Sequence, residues 1–129
     1  MDNTYIMGYK VNRNIKFFRP ETVLFSKGQE RITVKMANDF LNYILGILAR
    51  KNPLIDSYKK AKKVFSAFKM VFDNKQPPRL SKEDMKTAID VLEEIKNMSA
   101  NSDAEKEYNA RCALVCKLLI NSLCVDYRE

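Results

Sequence analysis

The chain has 129 residues, of which 46% are hydrophobic and 30% charged, and it carries a formal net charge of +7 without a single histidine. That length suits one domain with its own core, and the composition is globular rather than disordered. The missing imidazole excludes Ser-His-Asp and Cys-His sites, histidine-ligated metals and a histidine pH switch within the chain.

The start, Met1-Asp2-Asn3-Thr4, lacks the basic and apolar regions of a signal peptide. The longest apolar stretch, Ala37 to Ala49, is interrupted by Asp39 and Asn42, so no membrane span is expected. Three cysteines, Cys112, Cys116 and Cys124, fall on one expected helix. An odd number in that placement fits a reducing, cytoplasmic setting rather than a disulfide framework.

Residues 1–34 read as β or extended structure. Tyr5-Ile6-Met7-Gly8-Tyr9-Lys10-Val11 is rich in strand formers, Asn12-Arg13-Asn14 reads as a turn, and Ile15-Lys16-Phe17-Phe18 follows until Pro20 breaks the run. Thr22-Val23-Leu24-Phe25 and Arg31-Ile32-Thr33-Val34 flank a Gly28-containing turn. One or two short hairpins, or an extended arm, are expected.

From Lys35 the apolar spacing becomes helical. Met36, Ala37, Phe40, Leu41, Ile44, Ile47 and Leu48 recur at i, i+3, i+4 and i+7, and Pro53 ends that helix. A second helix is expected from Leu54 to Asp73, with Leu54, Tyr58, Ala61, Val64, Phe65, Phe68, Val71 and Phe72 on one face. Pro77-Pro78 place a loop after it. Ser81 with Asp84, and Ser102 with Glu105, announce two further helices as capping signals. Met85, Ala88, Ile89, Leu92 and Ile95 supply the buried stripe of the third. Tyr108, Cys112, Cys116, Leu119 and Leu123 share a face of the fourth, with a second stripe at Leu114, Leu118 and Val125. The expected fold is mainly α: roughly four amphipathic helices in a bundle-like single domain (35–129), preceded by the β or extended segment (1–34).

No catalytic residues, cofactor or metal are expected. Zinc normally takes four Cys or His ligands, and Cys112 and Cys116 read instead as reduced core residues. Three glycines spread over Gly8, Gly28 and Gly46 leave no glycine-rich phosphate loop.

The positive signal is charge. Residues 1–79 hold 16 Lys and Arg against 6 Asp and Glu, net +10, whereas residues 80–129 hold 7 against 10, net −3. Lys59, Lys60, Lys62 and Lys63 crowd about one and a half helical turns, with Lys69 further along. Lys59 and Lys63 are like charges at i, i+4, a repulsion that a phosphate backbone would relieve. A second stretch interleaves Lys10, Arg13, Lys16 and Arg19 with Tyr9, Phe17 and Phe18, the mixture that holds a backbone while bases stack. No RRM, KH, zinc-finger or helix-turn-helix signature accompanies it. The expected function is a small, non-enzymatic, basic accessory or regulatory protein that binds nucleic-acid backbone without sequence specificity. The alternative is an inhibitor or adaptor docking on an acidic protein surface, with Tyr5, Tyr9 or Phe17 as exposed anchors.

Overall fold

A computed structural model of the chain describes residues 5–51, 54–122 and 127–128. The element order is β1 (Tyr5–Ile6), β2 (Tyr9–Val11), β3 (Val23–Lys27), β4 (Glu30–Thr33), α1 (Val34–Arg50), α2 (Asp56–Phe72), β5 (Leu80–Ser81), α3 (Lys82–Lys96), α4 (Asp103–Ser122) and β6 (Tyr127–Arg128). Strands β1 to β4 form an antiparallel sheet in sequence order, while β5 and β6 pair in parallel. The protein is therefore mainly α with a small β component. Among the described residues no helix is long and apolar enough to cross a membrane.

The stretch Tyr5 to Val11, expected as one strand, is a hairpin. Ile6 pairs with Tyr9 across a two-residue turn in which Met7 (φ 53°) and Gly8 (φ 83°) both have positive φ. That is the type I′ geometry that matches the twist of flanking strands. The second hairpin falls where the sequence places it, with Lys27 opposite Glu30 and Gly28 at φ +59° in the first turn position. A bulge between Val23 and Phe25 turns the consecutive Leu24 and Phe25 both inward, each 1% exposed. Ile15 to Phe18 is not a strand: residues 12–18 form an irregular connection from β2 towards β3.

Helix α1 starts where the hydroxyl of Thr33 accepts from the Met36 N–H at 3.3 Å. Helix α3 starts at a full capping box: Ser81 Oγ accepts from the Asp84 N–H at 2.9 Å, and Asp84 Oδ2 accepts from the Ser81 N–H. Ser102 Oγ accepts from the Glu105 N–H at 3.1 Å, as the spacing predicts. Helix α2 begins at Asp56 rather than Leu54, and Leu54 is exposed instead of buried, as is Ile55 beside it. Tyr108 is also more exposed than its stripe predicts. Pro53, Leu123, Cys124 and Val125 lie outside the described residues.

The core is continuous. Phe40, Ile44, Phe65, Phe68, Leu92 and Leu119 are buried in it, and Tyr9, Val11, Leu24, Phe25 and Ile32 from the sheet join the same cluster. Residues 5–33 are thus packed structure, not a free arm. Helix α2 packs most extensively on α3 and also against α1, and α4 packs on α3 and α1.

The C-terminal end of α2 is closed by a Schellman motif. The Lys75 N–H donates to Met70 O at 2.9 Å, the Asn74 N–H donates to Val71 O at 2.9 Å, and Asn74 takes the left-handed position at φ 58°. Asparagine tolerates that conformation better than other residues with a Cβ. Here its amide also clasps the β2–β3 connection: Oδ1 accepts from the Phe18 N–H at 2.8 Å and Nδ2 donates to Phe18 O at 3.0 Å. Phe18 completes the join by packing edge-on against Phe72, with ring centroids 5.7 Å apart. Asn74→Gly keeps the backbone and removes only the clasp, at about 0.5–1.5 kcal/mol. Asn74→Ala removes the clasp and adds left-handed strain of about 1–2 kcal/mol. Urea denaturation should therefore rank wild type above Asn74→Gly above Asn74→Ala.

Candidate nucleic-acid interface

The five lysines of α2 divide into three groups. Lys60 sits 3.3 Å from Asp56 and also pairs with Glu83 of α3, and these two acids raise its pKa, Glu83 first. Lys63 reaches Asp84 Oδ2 at 3.5 Å, so one carboxylate serves both the capping box and an interhelical pair. Lys69 turns the other way and donates to the side-chain oxygens of Asn38 and Asn42 on α1. Only Lys59 and Lys62 face outward with no carboxylate among the described residues in ion-pair range. The repulsion expected from the lysine run is therefore relieved in large part by the acids of α3.

The basic residues of the N-terminal segment gather around the β2–β3 connection. Lys10 projects outward because β2 alternates, with Tyr9 and Val11 inward. Arg13 Nη1 donates to Ser122 O, where the last carbonyls of α4 favour a cation. Three adjoining depressions run along this connection and share lining residues. One of about 460 Å³ is lined by Lys10, Asn12, Arg13 and Asn14 among others. A smaller one of about 220 Å³ continues past Arg13 and Ile15 to Phe18 and Val71. The third, about 390 Å³, is lined by Lys16, Phe17, Phe18, Val71, Asn74, Lys75, Gln76 and Pro77. Among the described residues, none of the three is lined by an aspartate or glutamate.

Phe17 is 59% exposed, and the Arg19 guanidinium lies 5.7 Å from its ring centroid. Tyr5 is likewise exposed, at the outer strand of the sheet. Tyr9 is not available as an anchor. Its ring is 5% exposed, Lys27 lies over it at 5.4 Å, and its hydroxyl donates to Glu30 Oε1 at 2.6 Å. The two-residue period of β2, with apolar Val11 beside charged Lys10, is the signal that places it inward. Lys75 was absent from the sequence candidates, since nothing local marks a lone lysine after a helix; the Asn74 clasp brings it beside Lys16.

Two polar networks hold the surrounding structure. Glu30 of β4 pairs with Arg111 of α4 while accepting from Tyr9 of β2, which ties the sheet to the last helix. The hydrogen bonds from Tyr9 and then Arg111 hold the Glu30 carboxyl below its ordinary pKa, while burial and then Glu30 raise that of Tyr9. In the second network the Tyr43 hydroxyl donates to Oδ1 of the fully buried Asn109, with Tyr108 edge-on to the Tyr43 ring at 4.8 Å. Cys112 and Cys116 are free and buried side by side on α4, and Cys116 is raised well above the usual thiol range by its hydrogen bond with Cys112 and by desolvation. Among the described residues, no group of three or more metal-ligating side chains is gathered.

Comparison with known protein families, with curated proteins and with solved structures finds no match for the chain.

Because Glu30 has a lower pKa folded than unfolded, its contribution is complete above the ordinary glutamate pKa and is lost as pH falls through the depressed value. Glu30→Gln should cost about 1 kcal/mol at pH 7, given that both partners are partly solvated. It should also flatten the loss of stability as pH falls below the ordinary glutamate range, measured by urea denaturation at each pH. A thiol reagent should leave native Cys112 and Cys116 unlabelled in a Cys124→Ser variant at neutral pH and react fully after unfolding, because burial keeps both thiols out of the reagent's reach.

Proposed function

We propose that the chain is a non-enzymatic, basic accessory protein that binds the backbone of single-stranded nucleic acid along the β2–β3 connection, without reading sequence. The observation that carries this reading is the run of depressions lined in turn by Lys10, Arg13, Lys16 and Lys75, with no acid among the described lining residues and the exposed Phe17 ring beside it. Cations spaced along a groove follow phosphates, and a solvent-facing aromatic ring offers a surface on which any base can stack. Asn74, the Schellman turn and the Phe18–Phe72 contact fix the connection in place, so binding would order little additional chain. Lys60, Lys63 and Lys69 have protein partners and contribute less to this reading than their number in the sequence implies. The absence of histidine from the chain supports a binding rather than a catalytic role. The two buried free thiols fit a reducing, cytoplasmic setting.

Fluorescence anisotropy with unrelated single-stranded oligonucleotides provides the test. Wild type should bind them with similar affinity. Replacing Lys16 and Lys75 with Gln should weaken all of them together and reduce the slope of log affinity against log salt by about 0.7 per lost phosphate contact. Phe17→Ala should cost about 1–3 kcal/mol if one base stacks there, with the salt slope unchanged. Lys60→Gln with Lys63→Gln should alter stability more than binding. If wild type binds no oligonucleotide at physiological salt, the reading is lost.

A further inference from the structure

We propose that the junction of α1 and α2 is a second docking site, separate from the β2–β3 connection, and that it takes an acidic protein segment carrying one large apolar anchor. The site is a groove of about 160 Å³ lined by Leu48, Ala49, Tyr58, Lys59 and Lys62. A cavity of roughly 150 Å³ accommodates a benzene ring, so the groove matches one aromatic or leucine-sized side chain. Just before α2, within one turn of Tyr58 and Lys59, stand Leu54 at 76% and Ile55 at 39% exposure. Two adjacent exposed aliphatic side chains one helical turn in sequence from the residues of an apolar groove are the arrangement an interface covers.

The charge around the groove selects the partner. Lys59 and Lys62 line it and are exposed, and among the described residues no carboxylate lines the groove. The nearest acid in sequence, Asp56, is paired with Lys60, which Glu83 also holds. An acidic segment would meet Lys59 and Lys62 at the rim while its anchor fills the groove, and these rim charges would speed encounter and set register. The projecting Leu54 and Ile55 give a base neither a ring nor a hydrogen-bonding edge, and a slot of this size fits one apolar side chain, which favours a protein segment over nucleic acid. A bilayer surface would engage the projecting Leu54 and Ile55 but has no use for a side-chain-sized slot.

Helix α2 has 17 residues, about 25 Å at the usual rise, and this groove lies at its N-terminal end while Lys75 follows its C-terminal end. Both sites can be occupied at once, and they can be tested independently.

The probe is a short fluorescein-labelled peptide with one central Phe flanked by Glu on both sides, titrated with the full chain at physiological salt and read by anisotropy. Wild type should bind it, and the same peptide with Ala in place of Phe should bind roughly tenfold or more weakly, the discrimination an apolar pocket provides. A Gln-flanked version should also lose affinity. Leu54→Ser with Ile55→Ser, and separately Lys59→Gln with Lys62→Gln, should each weaken binding at least about tenfold. Replacing Lys16 and Lys75 with Gln should leave it unchanged. All altered side chains are exposed, and circular dichroism checks that each variant is folded; the peptide comparisons on wild type stand without the variants. The proposal is overturned if wild type does not bind the Phe peptide, if the Ala peptide binds equally well, or if folded variants bind like wild type. It is also overturned if phosphatidylserine vesicles or an oligonucleotide, rather than the peptide, show the dependence on Leu54 and Ile55.

Discussion

Burial of one face of α2 is the constraint from which the surface of this protein follows. Ala61, Val64, Phe65, Ala67, Phe68 and Phe72 are all driven into the core, and three phenylalanines among them make that face costly to expose. Once it is buried, every lysine on the helix has its direction assigned. Lys60 and Lys63 fall over the seam with α3, Lys69 over the seam with α1, and Lys59 and Lys62 face water. The apolar face contributes the stability, and the charges take the positions it leaves them.

The same helix organises the N-terminal segment. Its C-terminal turn places Asn74 in a left-handed conformation, and from there the side-chain amide holds the backbone of Phe18. Arg13 ties the other end of the connection to the last turn of α4, and the Tyr9–Glu30–Arg111 network ties the sheet to the same helix. A connection of irregular structure is thereby anchored at several points. Phe17 and Lys16 project from a fixed backbone, which limits the entropy lost in any contact they make.

The charge asymmetry of the sequence also takes on a structural meaning. Part of the positive excess of residues 1–79 is answered inside the molecule by Glu83 and Asp84 of the acidic half. Two places where cations of that half remain without an acid partner among the described residues are the β2–β3 connection and the start of α2. The first offers an exposed aromatic ring and the second exposed aliphatic side chains, so the two proposed sites differ in the chemistry of what would occupy them.

The helices were legible because their determinants are local: apolar residues at helical spacing, Ser81 and Ser102 before the acids that complete their caps, prolines in the loop after α2. Burial of Phe40, Phe65, Leu92 and Leu119 followed from the same period. The hairpin at Met7-Gly8 was missed because the whole of residues 5–11 has strand propensity, and the turn depends on backbone dihedrals rather than on a break in hydrophobicity. Tyr9 was assigned to the surface although its alternation with Lys10 and Val11 carried the opposite message. The site residues were legible as a list and not as a site. Composition and spacing identified Lys10, Arg13, Lys16, Phe17, Arg19 and the α2 lysines as cations and rings. Which of them would be neutralised depended on Glu83, Asp84, Asn38 and Asn42, 21 to 31 residues away in the chain. Side-chain pairing across that separation is set by the packing of one helix on another, and no local pattern encodes it; the sequence by itself determined the elements and their charge, and the tertiary structure decided which charges were left to meet a partner.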